Sequence, residues 1–150
     1  MRFLTILGLF LCVNCAVLAA EDIAGVWKTI DDETGQAKSL VQIYPYQGKM
    51  YGRVVKLFKN QEKTAVGIQG DPKILGLDII FDMQDKGDKW KNGRILDPTK
   101  GKIYACEIWR SGNQLIVRGK IGPFGRNQTW LKDDSEFLNE NLVPIIPQKK

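Results

Sequence analysis

β-Branched and aromatic residues gather in short runs along this chain, and the runs are parted by clusters of Gly, Pro, Asp, Asn and Ser. The clearest set lies between Trp90 and Trp130. Runs at 93–97, 102–110, 114–120 and 126–132 are joined by Asp97-Pro98-Thr99-Lys100-Gly101, Ser111-Gly112-Asn113 and Gly122-Pro123-Phe124-Gly125. In the first joint Asp97 can bond back to the backbone, Pro98 presets its φ, and Gly101 can take the left-handed conformation. Four strands and three tight turns predict an antiparallel meander, whose edges the rest of the chain must pair or cover.

Upstream, four further runs read as strands: Gly25–Ile30, 39–44, 50–58 and 74–83. Alternation over 50–58 places Tyr51, Arg53, Val55 and Leu57 on one face, and Gly52, Val54, Lys56 and Phe58 on the other. Gly52 inside a strand predicts a bulge or a sharp bend. Residues 59–73 make the longest connection, polar except for an apolar island at 65–68, with Gly67, Gly70 and Pro72 as hinge points. A connection of that length reads equally as a gate or as a solvated connector. At the C-terminus, Asp133-Asp134-Ser135-Glu136 looks like a helix start, Phe137, Leu138 and Leu142 lie near helical spacing, and Pro144 and Pro147 end anything regular. Eight short strands with neighbour-to-neighbour turns predict an all-β fold, an eight-stranded antiparallel up-and-down barrel with a short C-terminal helix or tail.

The first twenty residues stand outside this pattern. Met1-Arg2 gives a positive start, residues 3–18 are almost wholly apolar, and Ala19-Ala20 precede the acidic Glu21-Asp22. That is the layout of a secretory signal peptide over 1–20, leaving a single domain over 21–150 in the periplasm or outside the cell. The apolar run is too short for a retained anchor, so no stable membrane span is expected after cleavage. Cys12 and Cys15 leave with the leader, and Cys106 remains alone, which excludes a disulfide framework.

Of the 150 residues, 22 are Lys or Arg and 17 are Asp or Glu, a balance of +5 that becomes +4 when Arg2 is lost. The charges are interspersed, without the basic stripe that nucleic-acid binding requires. Histidine is absent, so the commonest metal ligand and the commonest general base are both missing. Asp78, Asp82, Asp85 and Asp88 gather around a turn that also holds Lys86 and Lys89, and read as a solvated loop rather than a glycosidase pair or a calcium site. No enzyme, metal or cofactor is expected.

The order of certain short motifs is more specific. Gly25-Val26-Trp27, Met50-Tyr51-Gly52-Arg53-Val54, Leu75-Gly76-Leu77, Trp90-Lys91-Asn92-Gly93-Arg94-Ile95-Leu96-Asp97-Pro98, Gly101-Lys102-Ile103-Tyr104, Leu115-Ile116-Val117-Arg118-Gly119 and Gly125-Arg126-Asn127-Gln128-Thr129-Trp130 follow one another across nearly the whole mature chain. The series resembles the bacterial secreted family called domain of unknown function 2147, and the G-x-W opening resembles the lipocalin signature. The resemblance implies a lipocalin-like barrel that carries a small apolar molecule. It also implies that Trp27 packs against a basic residue of the last strand, Lys132 or Arg126.

Candidate residues follow from the faces. Tyr104, Cys106 and Ile108 share one strand face, and Leu115, Val117 and Gly119 share the next; both are expected to point inward. Tyr51, Val55, Tyr104, Ile108, Val117 and Arg118 form the candidate ligand set. Arg118 lies on the opposite face from Val117, and would either pair with Glu107 across the hairpin or hold a carboxylate. Trp27, Trp130 and Lys132 are expected to close one end of the barrel. Cys106 reads as a small buried hydrophobe. The expected function is binding of a fatty acid or lipid fragment. The alternative is a filled barrel that contacts envelope proteins or glycans through loop aromatics.

Overall fold

The computed structural model describes residues 19–136 and 141–150. Eight strands run in chain order: β1 (Gly25–Ile30), β2 (Ala37–Tyr46), β3 (Lys49–Leu57), β4 (Asp78–Asp85), β5 (Trp90–Asp97), β6 (Lys102–Ser111), β7 (Gln114–Ile121) and β8 (Phe124–Asp133). Each pairs antiparallel with its sequence neighbours, and β8 returns to β1 through Val26↔Asp133, Trp27↔Lys132 and Lys28↔Leu131, closing the barrel. All eight expected strands are present. Their bounds differ mainly at β4, which starts at Asp78 because Ile74 to Leu77 form a turn against Val54.

Closure needs bends, and one of them falls at a glycine. Gly52 sits between two register shifts of the β3–β4 ladder, as its place inside a strand run predicted. A second irregularity lies between Leu40↔Lys56 and Val41↔Val54, so that Val55 has no partner of its own on β2. That bulge reverses the alternation of β3. Val54 and Leu57 therefore both turn inward, whereas a strict period of two puts them on opposite faces.

The four connections β1–β2, β3–β4, β5–β6 and β7–β8 stand at one end, and the other three at the opposite end with the N-terminal segment. Ala20 N–H donates to Asp85 Oδ1, Trp90 Nε1 to the Glu21 carbonyl, Arg110 Nη1 to the Asp22 carbonyl and Trp27 Nε1 to the Ile23 carbonyl. Residues 20–24 thus cross this end as a cork, with Ile23 and Trp27 wholly buried.

The tail does not form the expected helix in its described part. Residues 134–136 and 141–150 are extended or irregular, and residues 137–140 lie outside the described residues. Residues 148–150 instead run beside the β3–β4 connection: Gln69 N–H donates to the Gln148 carbonyl, Lys150 N–H to the Gly67 carbonyl, and Ile68 bridges to Lys149. The expected signal peptide also lies largely outside the described residues, which begin at 19. Among the described residues no helix is long and apolar enough to cross a membrane.

Candidate functional site

The corked half of the barrel is packed, and the other half is hollow. A cavity of about 910 Å³ opens between the β1–β2, β3–β4, β5–β6 and β7–β8 connections. Its walls are Val54, Leu57, Ile79, Ile95 and Tyr104, and Val117 and Trp130, both almost fully buried, form its bottom. This volume lies within the range of ligand sites and above the roughly 300 Å³ at which they begin. The filled barrel of the alternative reading is thus realised only in the corked half.

Polar side chains are numerous in the lining, most of them in the connections at the mouth. The Thr29 and Ser39 hydroxyls hydrogen-bond each other at 2.7 Å, and Trp130 Nε1 donates to Gln128 Oε1 at 3.1 Å. The Tyr104 hydroxyl has no protein partner among the described residues. A guest would meet an apolar surface deep in the bore and polar and charged groups toward the mouth.

Two carboxylates build the rim. Asp31 accepts from the Thr34 backbone N–H at 2.8 Å, from the Thr34 hydroxyl and from Glu33 N–H. Those bonds, the backbone bond from Thr34 first, hold its pKa below the usual carboxylate value. At Asp97 burial pushes the pKa up, but the Thr99 hydroxyl and the Thr99 and Lys100 backbone groups outweigh it and the net shift is downward. Both carboxylates stay ionised and shape their own turns. Arg126 on β8 reaches Asp32 at 2.6 Å, fastening the β7–β8 hairpin to the β1–β2 turn.

The candidate residues separate cleanly. Tyr104 and Val117 line the cavity. Ile108 is wholly buried but belongs to the packed part of the interior. Val55 is displaced by the bulge, and Val54 and Leu57 take its place. Tyr51 lies on the outer wall, where its hydroxyl donates to Asp82 at 3.0 Å and its ring stacks on Tyr44. Arg118 also faces outward, since Val117 on the same strand faces in. Its guanidinium lies over Gly125, where no side chain obstructs it, and donates to Asn127 Oδ1 at 3.1 Å. The partner of Glu107 is Lys120, at 2.7 Å, and not Arg118.

Trp27 and Lys132 lie side by side at the corked end. Lys132 Nζ stands 5.1 Å from the centre of the Trp27 ring, and the Arg110 guanidinium 5.7 Å from it, within the reach of cation–π attraction. Gly25 has a φ of 140°, and a Cβ there would collide with the Lys132 ammonium, so the glycine of G-x-W makes room for this contact. Arg126, the other possible partner, is at the far end of the barrel. Trp130 is buried and lines the cavity.

The 59–73 connection is clamped rather than free. Ala65 and Ile68 of its apolar island are buried, Val66 N–H donates to the Pro98 carbonyl at 2.8 Å, and the tail pairs along 67–69. Lys59 and Lys63 from this segment, and Ile74 just after it, line the cavity. The island is thus structural, and a gate hinged at Gly67 and Gly70 does not fit these bonds.

Residues 25–132 match the model of the family described as "Uncharacterized protein conserved in bacteria (DUF2147)". The chain belongs to the DUF2147 family. This DUF2147 barrel is also similar to a solved structure from Helicobacter pylori, protein HP1028, which is described as belonging to the lipocalin family. The TM-score is 0.64 at 19% identity, covering 75% of this chain and 84% of that one. At that identity the likeness speaks for the fold, a lipocalin-like closed barrel. No curated protein matches the DUF2147 chain significantly.

Proposed function

We propose that this protein binds one small, largely apolar molecule, a fatty acid or lipid fragment, in the open half of its barrel, and that it does so as a carrier outside the cytoplasm rather than as an enzyme. The observation that carries this reading is the cavity itself: about 910 Å³, blind at one end, with walls of Val, Leu, Ile and Tyr. Burial of an apolar guest against such walls is favourable in proportion to the area removed from water. Of the carboxylates at the mouth, Asp31 and Asp97 are bound into turns and Asp32 into an ion pair, and the chain holds no histidine, so the site offers a surface and not a proton relay. The leader-like residues 1–20 support placement in the periplasm or beyond.

Gly119 supplies the test. A Cβ there would meet Tyr104 and Ile95 only at 3.8 and 3.9 Å, ordinary contact distances. A Gly119→Phe side chain therefore enters the cavity without disturbing the wall. Displacement of a fluorescent fatty acid is expected to weaken at least tenfold in G119F, with thermal unfolding close to that of the parent. Equal binding by the two proteins, or none by the parent, overturns the reading. Native mass spectrometry of protein purified from its own host would then name the guest.

A further inference from the structure

Ile121 and Phe124 flank the Gly122-Pro123 turn of the β7–β8 hairpin and are 66% and 77% exposed. Both stand at the cavity mouth. Phe58 and Val66, on the β3–β4 connection, are exposed at the same end of the barrel. Neither tip residue is buried by the fold, and a two-residue turn accepts polar flanks as readily, so their hydrophobicity serves no contact within the chain. Exposed apolar groups placed together in this way mark a surface that meets something else.

The charges around them indicate what. Lys38, Lys59, Lys63 and Lys100 border the mouth, and among the described residues none of the four is in an ion pair. Of the carboxylates there, Asp32 is paired with Arg126. Asp31 and Asp97 are ionised, bound into their own turns and near enough to Lys38 for its charge to act on them, so Lys38 is in part offset and Lys59, Lys63 and Lys100 are not. Glu33 is left as the carboxylate with no such bond. The rim therefore combines projecting apolar side chains with ammonium groups on flexible stems. Apolar groups of that kind partition into the headgroup boundary of a bilayer, and lysines close to an anionic leaflet are attracted to its phosphates.

We propose that the open end of the barrel docks on an anionic lipid surface, with Ile121 and Phe124 entering the headgroup layer and Lys59, Lys63 and Lys100 facing lipid phosphate. The cavity then opens toward the lipid, and the corked end faces away. This inference does not depend on which molecule fills the cavity.

Co-sedimentation with vesicles of phosphatidylglycerol and phosphatidylethanolamine, compared with phosphatidylcholine vesicles, tests it. The parent protein is expected to sediment with the anionic vesicles and to be released by salt, because screening weakens the attraction. Ile121→Ser/Phe124→Ser and Lys59→Gln/Lys63→Gln/Lys100→Gln are each expected to bind at least tenfold more weakly, with thermal unfolding unchanged. The single Phe124→Ser variant serves if a multiple variant fails to fold. No sedimentation of the parent, or equal sedimentation of the serine variant, overturns the proposal. So does a concentration-dependent dimer abolished by the serine pair, which would mean that a second copy covers the tip. Fatty-acid binding measured without vesicles keeps failure of docking separate from failure of the carrier reading.

Discussion

The guanidinium of Arg53 grips the carboxylate of Asp78 across neighbouring strands, with Nη2 2.8 Å from Oδ2 and Nε 3.3 Å from Oδ1. Asp78 is completely buried, and its oxygens also accept from the Tyr44 hydroxyl at 2.7 Å and the Ile145 N–H at 2.8 Å. Arg53 Nη2 donates in turn to the Val143 carbonyl. On the outer wall, β2, β3, β4 and the C-terminal tail therefore share one buried charge.

Arg53→Met would leave that carboxylate buried without its counter-charge. Breaking one side of a buried pair typically costs about 3 kcal/mol or more. Urea unfolding of R53M is expected to show a loss of that size, with the tail more open to proteolysis. A change under about 1 kcal/mol would mean that water replaces the guanidinium, and that the knot is weaker than its geometry.

Ile68 is the second anchor of the loop and tail. It is 1% exposed, whereas Val66 of the same island is 52% exposed. Ile68→Ala should cost about 3 kcal/mol, as removal of a core side chain generally does, and Val66→Ala well under about 0.5 kcal/mol. Chemical denaturation of the two variants side by side decides between a clamped and a free loop. Equal effects would restore the free connector.

Much of this was legible in the chain. The turn peptides of the 90–130 stretch are where the structure turns, because Asp97, Pro98 and Gly101 act within a few residues of themselves. Trp27 and Lys132 could be paired only through the G-x-W resemblance, since the last strand meets the first by closure. The misses have the opposite character. Tyr51 shares a face with Arg53, and nothing local shows that this face is outside, buried under residues 143–145. Asp78 read as part of a solvated turn because its partner lies 25 residues earlier. At Val55 one extra residue in a strand inverted the count that follows. Periodicity carries the strand; it does not carry the bulge or the distant cover.

Cys106 should be inert in the folded protein. It is 1% exposed, and burial first, then the Glu107 charge, push its thiol pKa up to about 12. A thiol held neutral does not attack disulfide reagents. For a protein of residues 21–150, a thiol-reactive chromophore at pH 8 is expected to label no thiol in the native state and one in denaturant. Rapid native labelling would show that the barrel opens at this strand.

Alkali should unfold the barrel progressively. The Tyr51 pKa is also raised to about 12, by burial and then by its bond to Asp82. Both groups are acids whose neutral form the fold favours, with ordinary values of 9.0 for Cys106 and 10.0 for Tyr51. Their contribution is complete below those values and is lost as the pH rises through about 12, because the unfolded chain ionises first. Thermal melts between pH 8 and pH 11.5 should therefore fall more steeply for the parent than for Tyr51→Phe/Cys106→Ala. Parallel curves would assign the alkaline loss to other groups.

The blind bottom of the bore has a consequence for any straight-chain guest. In the proposed carrier the terminal methyl would descend until it met Trp130 and Val117, which lie buried in the lining. Up to that point each added methylene contributes about 0.8 kcal/mol by leaving water. Beyond it, every further carbon is pushed back out through the rim and contributes nothing. Affinity plotted against acyl length should climb in even steps and then break, and the break marks how far down the floor lies. In that sense the barrel is a ruler whose zero is an indole ring, and Trp130→Ala would shift the scale by the space of that ring.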